Sequence, residues 1–170
     1  APFIAVAATA TPKIALANIH NWEEPCISGT CGSGTVFFSG CNLECVFCQN
    51  HQISHENFGK EITVNRLAEI FIELQNQKVH NINLVSPTPS VPQIIEAIKI
   101  AREAGLKIPI VYNTNGYEKV ETLKMLEGYI DIYLPDLKYS DDLLAKRLSK
   151  VDNYFEIATN AIKEMHRQVG

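Results

Sequence analysis

The sequence predicts a single α/β domain on a parallel sheet, either curled as a partial (β/α) barrel or open and doubly wound. Helical and strand periodicities alternate from residue 60 onward, which is the pattern of consecutive βα units with right-handed crossovers. The chain has 170 residues, 46% hydrophobic and 20% charged, which suits one packed globular unit and excludes a disordered chain, a collagen-like fibre or a coiled-coil rod. No internal repeat or low-complexity tract interrupts the alternation.

Residues 1–10 are small and mostly apolar but lack the positive charge that opens a secretory signal, so they read as an artificial terminus or an edge strand. Residues 1–34 form a lead-in, flexible over 26–34, and the domain runs over 35–170. Its first strand is 35–38, ahead of Gly40 and a group of cysteines. Val64, Leu67, Ile70, Phe71 and Leu74 then recur at helical spacing behind Thr63 as N-cap, and 81–86 is the second strand. Ser90-Val-Pro-Gln93 reads as a capping box with proline in the first turn, leading into Ile94, Ile95, Ile98 and Ala101 until Gly105 stops the helix. Strand three is 108–112, followed by a helix with Val120, Leu123 and Leu126 that Gly128 stops, and strand four is 129–134. Ser140 is the candidate cap of the next helix, which places Asp141 and Asp142 in its first turn and Lys146, Arg147 and Lys150 in its last, as the macrodipole prefers. A final amphipathic helix carries Phe155, Ile162, Met165 and Val169.

Charge and cysteine usage narrow the function classes. With 15 Lys and Arg against 19 Asp and Glu, the net charge is −4, and no basic block exists to neutralise nucleic acid or anionic lipid. The apolar runs fall well short of the roughly 20 residues that span a bilayer, so neither nucleic acid nor membrane is expected as a partner. Five cysteines are an odd number, and Cys26, Cys31, Cys41, Cys45 and Cys48 all lie close together in sequence, so a fully paired disulfide framework is excluded. Such crowding points to metal binding in a reducing compartment, the cytoplasm.

Ligands of parallel α/β sheets bind beyond the carboxyl ends of the strands. The four expected strands run into Gly40-Cys-Asn-Leu-Glu-Cys-Val-Phe-Cys-Gln-Asn50, Ser86-Pro-Thr-Pro-Ser90, Asn113-Thr-Asn-Gly116 and Pro135-Asp-Leu-Lys138, all polar or metal-binding. Cys41, Cys45 and Cys48 place three thiolates on one tight loop. A cubane 4Fe-4S cluster takes one ligand per iron, so three cysteines leave one iron open as a reaction site. The competing reading is a structural zinc site with Cys26, Cys31 or His51 as fourth ligand, although zinc sites commonly pair two separated knuckles.

The Cys-x3-Cys-x-aromatic-Cys pattern, with Phe47 as the aromatic, resembles the signature of the radical S-adenosylmethionine (SAM) superfamily. The flanking runs His20 to Gly29, Asn113-Thr-Asn-Gly and Asp136-Leu-Lys are similar to the branch related to pyruvate formate-lyase activating enzymes. The resemblance covers about residues 12–170. It implies that Cys41, Cys45 and Cys48 hold a 4Fe-4S cluster, that the backbone near Phe47 meets the adenine of SAM, and that Lys138 reaches the SAM carboxylate. Asn113, Thr114 and Asp136 match positions that surround a bound cation in activating enzymes, with Asn113 standing where those have an aspartate. Their Gly-Gly-Glu, which binds the SAM amino group, is replaced by Pro87-Thr-Pro89, leaving Ser86, Thr88 or backbone carbonyls for that task. The implied activity is reductive cleavage of SAM to a 5′-deoxyadenosyl radical that abstracts a hydrogen atom, with a glycyl radical protein as partner and flavodoxin or ferredoxin as electron donor. The alternative is a non-catalytic iron–sulfur or zinc protein of the same descent.

The remaining candidates have plainer readings. Cys26 and Cys31 are expected as unligated thiols, His51 and His55 as solvated loop residues, His20 with Trp22 equally as a packed core pair or a functional one, and Tyr112, Tyr129 and Tyr133 as core. The superfamily's barrel has six βα units, and four are countable here. The chain is therefore expected to be a fragment, or to be completed by something outside it, with the outer edge of strand four left bare.

Overall fold

The computed structural model of the protein describes residues 11–170, so the edge strand expected within 1–10 lies outside the described residues. The elements in chain order are β1 (Lys13–His20), α1 (Pro25–Ser28), β2 (Ser33–Phe38), α2 (His51–Ser54), β3 (Lys60–Glu61) and α3 (Val64–Asn76). They continue with β4 (Ile82–Val85), α4 (Val91–Glu103), β5 (Ile110–Thr114), α5 (Val120–Met125), β6 (Ile132–Pro135), α6 (Asp142–Ser149) and α7 (Tyr154–Val169). One sheet holds all six strands in the order β3-β1-β2-β4-β5-β6. The strands β2, β4, β5 and β6 are parallel and are the four expected βα units, whereas β1 is antiparallel to both β2 and β3. No helix among the described residues is long and apolar enough to cross a membrane.

Strand alternation divides the sheet into two unlike faces. Val36, Phe38, Ile82, Leu84, Ile110 and Tyr112 point to one side and form the main core with Leu67, Phe71, Leu74, Ile94, Ile98, Leu123 and Met165 from the helices. On the other side stand Ser33, Thr35, Asn81 and Asn83, which are buried but polar. Asn81 donates from Nδ2 to the Ile27 carbonyl at 2.7 Å and accepts from the Ser33 hydroxyl, so α1 closes the lower end of this face. Asn83 donates from Nδ2 to the Glu23 carboxylate at 3.3 Å, while its Oδ1 is buried with no hydrogen-bond partner among the described residues, so the layer is satisfied in part.

Several expected boundaries move, each for a local reason. Residues 13–20 of the lead-in form β1 and pair with β2 from Ile14 to His20, so the sheet is mixed and not wholly parallel. The segment expected to be flexible, 26–34, holds most of α1 and the start of β2. Strand four begins at Ile132, because Tyr129 and Gly128 are held in a turn by the Arg102 guanidinium, which donates to their carbonyls at 3.1 and 2.8 Å. The cap of α6 is Asp141, whose carboxylate accepts from Leu143 N and Leu144 N, and not Ser140. Ser90 makes no side-chain cap bond, whereas Thr63 accepts from Arg66 N as expected. Trp22 is 95% exposed and does not pack with His20, whose ring instead meets Phe37 at 5.2 Å between centroids. Among the described residues no strand covers the outer side of β6.

The tips of β4 and β5 are tied together by a residue that carries no motif. Glu118 is 1% exposed, and its Oε1 accepts from Thr88 Oγ1 and Thr114 Oγ1, each at 2.6 Å, and from the Tyr112 hydroxyl at 3.2 Å. Its Oε2 is buried with no hydrogen-bond partner among the described residues. Burial pushes the Glu118 carboxyl above the usual range, and the three hydroxyl donors offset this only in part.

A raised folded-state pKa means that the folded protein binds this proton more tightly than the unfolded chain does. The resulting stability is complete at low pH and is lost as pH rises through the folded pKa. Denaturant unfolding across pH is therefore expected to show Glu118→Gln removing a downward slope that lies above the ordinary carboxylate range. Glu118→Leu, which strands three hydroxyls, is expected to cost about 1–3 kcal/mol or more at all pH values.

Candidate functional site

Beyond the carboxyl ends of β2, β4, β5 and β6 lies a cleft of about 360 Å³. Cys41, Cys45, Cys48, Phe47, Ser86, Asn113 and Lys138 all line it, with Thr114 and Asp136 beside them. The elements that bring them there are the loop after β2 and the tips of the three following strands, as expected of a parallel sheet.

The cysteine loop leaves β2 at Gly40, whose φ of 84° is a left-handed conformation that suits glycine. It then docks on the far side of the molecule against α6. The Glu44 N–H donates to the Ser149 carbonyl at 3.1 Å and the Val46 N–H to the Leu148 carbonyl at 2.9 Å. These are carbonyls of the last turn of α6, which have no partner within the helix. Leu43 and Cys45 are buried in a small second core with Tyr139, Ala145, Val151, Tyr154 and Ala158. On the β5 side, Asn42 Nδ2 donates to the Tyr117 carbonyl at 2.6 Å, and Asn115 Nδ2 donates to Asn42 Oδ1 at 2.7 Å.

Each motif thiol has a polar neighbour. Cys41 Sγ receives Asn115 Nδ2 at 3.4 Å and the Leu43 N–H at 3.5 Å, Cys45 Sγ lies 2.9 Å from Ser149 Oγ, and Cys48 Sγ lies 3.2 Å from Ser54 Oγ. Burial raises the Cys41 thiol above its usual value, these two donors lower it, and charge on Cys45 and Cys48 raises it again. The thiol form is therefore favoured until a metal displaces its proton.

The other wall is built by β6 and α7. Lys138 Nζ is paired with the Asp136 carboxylate, and the Lys138 side chain is 26% exposed. Burial pulls the ammonium down, but Asp136 more than offsets this, so Lys138 stays charged above its ordinary value. The Tyr154 hydroxyl accepts from Lys138 N at 2.9 Å and donates to the Asn115 carbonyl at 2.7 Å, fastening the tips of β5 and β6 to α7. Gly116 is required there, since a Cβ would stand 2.3 Å from the Asp136 carbonyl oxygen. Ser86 holds a φ of 54° at the tip of β4, a strained conformation for a residue with a side chain, and strain of this kind clusters at binding sites. Thr88, the other hydroxyl expected near SAM, is committed to Glu118.

The remaining candidates are not brought to the cleft. Cys26 lines a separate hollow with His80, Pro109 and Ile132 at the opposite ends of the strands, and the Cys31 N–H donates to His80 Nε2 at 3.1 Å. His51 pairs with Glu56 at 3.3 Å and stacks on His55 at 4.4 Å between centroids. Sequence reasoning missed Ser149, Tyr139, Ser54 and Tyr154, which touch the site from positions that carry no motif. Asn115 lay within a quoted motif but had no assigned role.

The donor set fits a cluster. Three soft thiols line one cleft, and among the described residues no three His, Cys, Asp or Glu side chains, these thiols included, converge as a compact ligand group for a single metal ion. A cubane takes one thiolate at each of three corners and needs them around the cluster, not converging on one point.

The chain is 39% identical over 132 residues to an uncharacterized protein of Methanocaldococcus jannaschii, a match covering 74% of this chain and 38% of that relative, so the chain spans well under half of the relative's length. Residues 35–169 match the profile described as the Radical SAM superfamily, and that match includes the cysteine loop and every strand tip of the cleft. The chain belongs to the radical SAM superfamily.

Proposed function

We propose that this chain is the catalytic domain of a radical SAM enzyme that cleaves SAM reductively and directs the product radical at a hydrogen atom of its substrate. The observation that carries the proposal is the meeting of three thiols and a charged lysine on one cleft, at the carboxyl ends of parallel strands. When bound, the 4Fe-4S cluster supplies one electron to SAM, which yields methionine and a 5′-deoxyadenosyl radical.

The chain's own residues perform binding and orientation. Cys41, Cys45 and Cys48 would hold three irons of the cluster and leave the fourth without a protein ligand. Lys138, kept charged and aimed by Asp136, binds the SAM carboxylate through a charge-assisted contact. Ser86 is the hydroxyl available for the SAM amino group, because Thr88 is held by Glu118. Phe47, which is 53% exposed and lines the cleft, offers its neighbouring backbone to the adenine. Asn113 contributes an amide from the tip of β5, beside Thr114 and Asp136, in the place where activating enzymes surround a cation. Buried apolar groups behind the cysteine loop, chiefly Leu43 and Tyr154, keep water from that side of the cleft.

The substrate we propose is a glycine Cα of a glycyl radical protein, on the resemblance of the flanking segments to pyruvate formate-lyase activating enzymes. Flavodoxin or ferredoxin is the proposed electron donor, and the cytoplasm the proposed compartment. The exposed Val46 and Phe47, at 65% and 53%, give a partner protein apolar surface at the mouth of the cleft.

Anaerobic reconstitution is expected to load about four irons and four sulfides per chain. Replacing any of Cys41, Cys45 or Cys48 by Ala is expected to abolish that load, whereas Cys26→Ala and Cys31→Ala leave it intact. Stoichiometric zinc in place of iron after anaerobic purification would favour the non-catalytic reading. The spectrum of the reduced cluster is expected to change on SAM addition, and Lys138→Ala to weaken SAM binding by about 1.5–3 kcal/mol, at least about tenfold in Kd. An unchanged affinity in that variant would remove Lys138 from the SAM site.

A further inference from the structure

We infer that Ser149, oriented by Tyr139, is a positioning residue that raises the reduction potential of the cluster by donating a hydrogen bond to the Cys45 sulfur. The inference rests on the cluster assignment proposed above and extends it to residues outside the cysteine motif.

Its basis is a buried chain of two hydroxyls ending on a ligand sulfur. Tyr139 OH lies 2.6 Å from Ser149 Oγ, and Ser149 Oγ lies 2.9 Å from Cys45 Sγ. Their exposures are 9%, 0% and 8%, so water does not compete for these bonds. Proton counting fixes the direction once Cys45 is a ligand. A thiolate only accepts, so the single Ser149 proton goes to sulfur, and the single Tyr139 proton goes to Ser149 Oγ. Each proton then has an acceptor, and each bond polarises the next.

Opposing fields act on this sulfur, since the Lys138 ammonium is close enough to attract negative charge on Cys45. Cys45 sits at the C-terminal end of α6, where the helix dipole is negative and disfavours added negative charge. One-electron reduction lowers the cluster charge by one, and donors to its sulfurs stabilise that extra charge, which raises the potential. The donors at the other two cysteines are weaker in this respect. Asn115 Nδ2 and the Leu43 N–H stand at 3.4 and 3.5 Å from Cys41, and Ser54 Oγ, 3.2 Å from Cys48, also meets the Asn50 carbonyl and His55 Nδ1.

The test is a redox titration of the anaerobically reconstituted chain with dithionite and mediator dyes, followed by electron paramagnetic resonance, with iron and sulfide measured on every sample. Ser149→Ala is expected to move the midpoint to more negative potential, lowering the reduced-to-oxidised ratio at the wild-type midpoint about threefold, or about 28 mV by the one-electron relation. Tyr139→Phe, which keeps the Ser149 hydroxyl, is expected to shift it less and in the same direction. The double variant is expected to match Ser149→Ala alone, because Tyr139 acts through Ser149. If Ser149→Ala fails to hold a cluster, the Tyr139→Phe shift decides. Unchanged midpoints in fully loaded variants, or additive shifts, would overturn the inference while leaving the cluster assignment standing. A wild-type chain that loads no 4Fe-4S cluster would overturn both.

Discussion

The carbonyls of the last turn of α6 have no partner inside the helix, and the N–H groups of Glu44 and Val46 supply two of the missing bonds. This pairing fixes where the cysteine loop lies, because Cys45 stands between the two donors and is carried into the small core around Tyr154. The loop starts at β2 and finishes over the tips of β5 and β6, so the sheet and the C-terminal helices must form together for the three thiols to share one cleft. Net hydrogen bonds of this type are worth only about 1 kcal/mol each, but leaving the same groups unpaired in a buried layer would cost more. The site is therefore held by satisfaction of backbone groups as much as by apolar packing.

Much of the parallel half of the sheet was legible in the sequence, since periodicity and capping report local geometry. Thr63 caps α3, the apolar residues from Leu67 to Leu74 face the core, and Gly105 ends the chain's turn out of α4 with a φ of 101°. What was not legible depends on partners distant in sequence. Residues 13–20 form a strand because β2 offers them an edge, and Ser140 loses the cap to Asp141 because the Asp141 carboxylate reaches two N–H groups. The start of β6 is set by Arg102, from a helix three elements earlier.

The same division holds at the site. The cysteine spacing and the polar strand tips could be read directly because they name their chemistry by residue type and position. Ser149 and Tyr139 could not, since a serine near the end of an amphipathic helix carries no signal until the fold brings it to a sulfur more than a hundred positions away. Glu118 was similarly silent: a lone glutamate in a loop becomes a clamp between Thr88 and Thr114 only when both strand tips surround it. The replacement of Gly-Gly-Glu by Pro87-Thr-Pro89 gains a structural reading from this, because the threonine serves the frame of the cleft and Ser86 is left facing it.

The most direct measurement is product analysis after incubating the anaerobically reconstituted chain with dithionite and SAM. Wild-type protein is expected to form 5′-deoxyadenosine and methionine in equal amounts, and Cys45→Ala to form neither. Fully loaded wild-type protein that leaves SAM intact, or equal 5′-deoxyadenosine from the Cys45→Ala variant, would contradict the assignment of this cleft to radical chemistry.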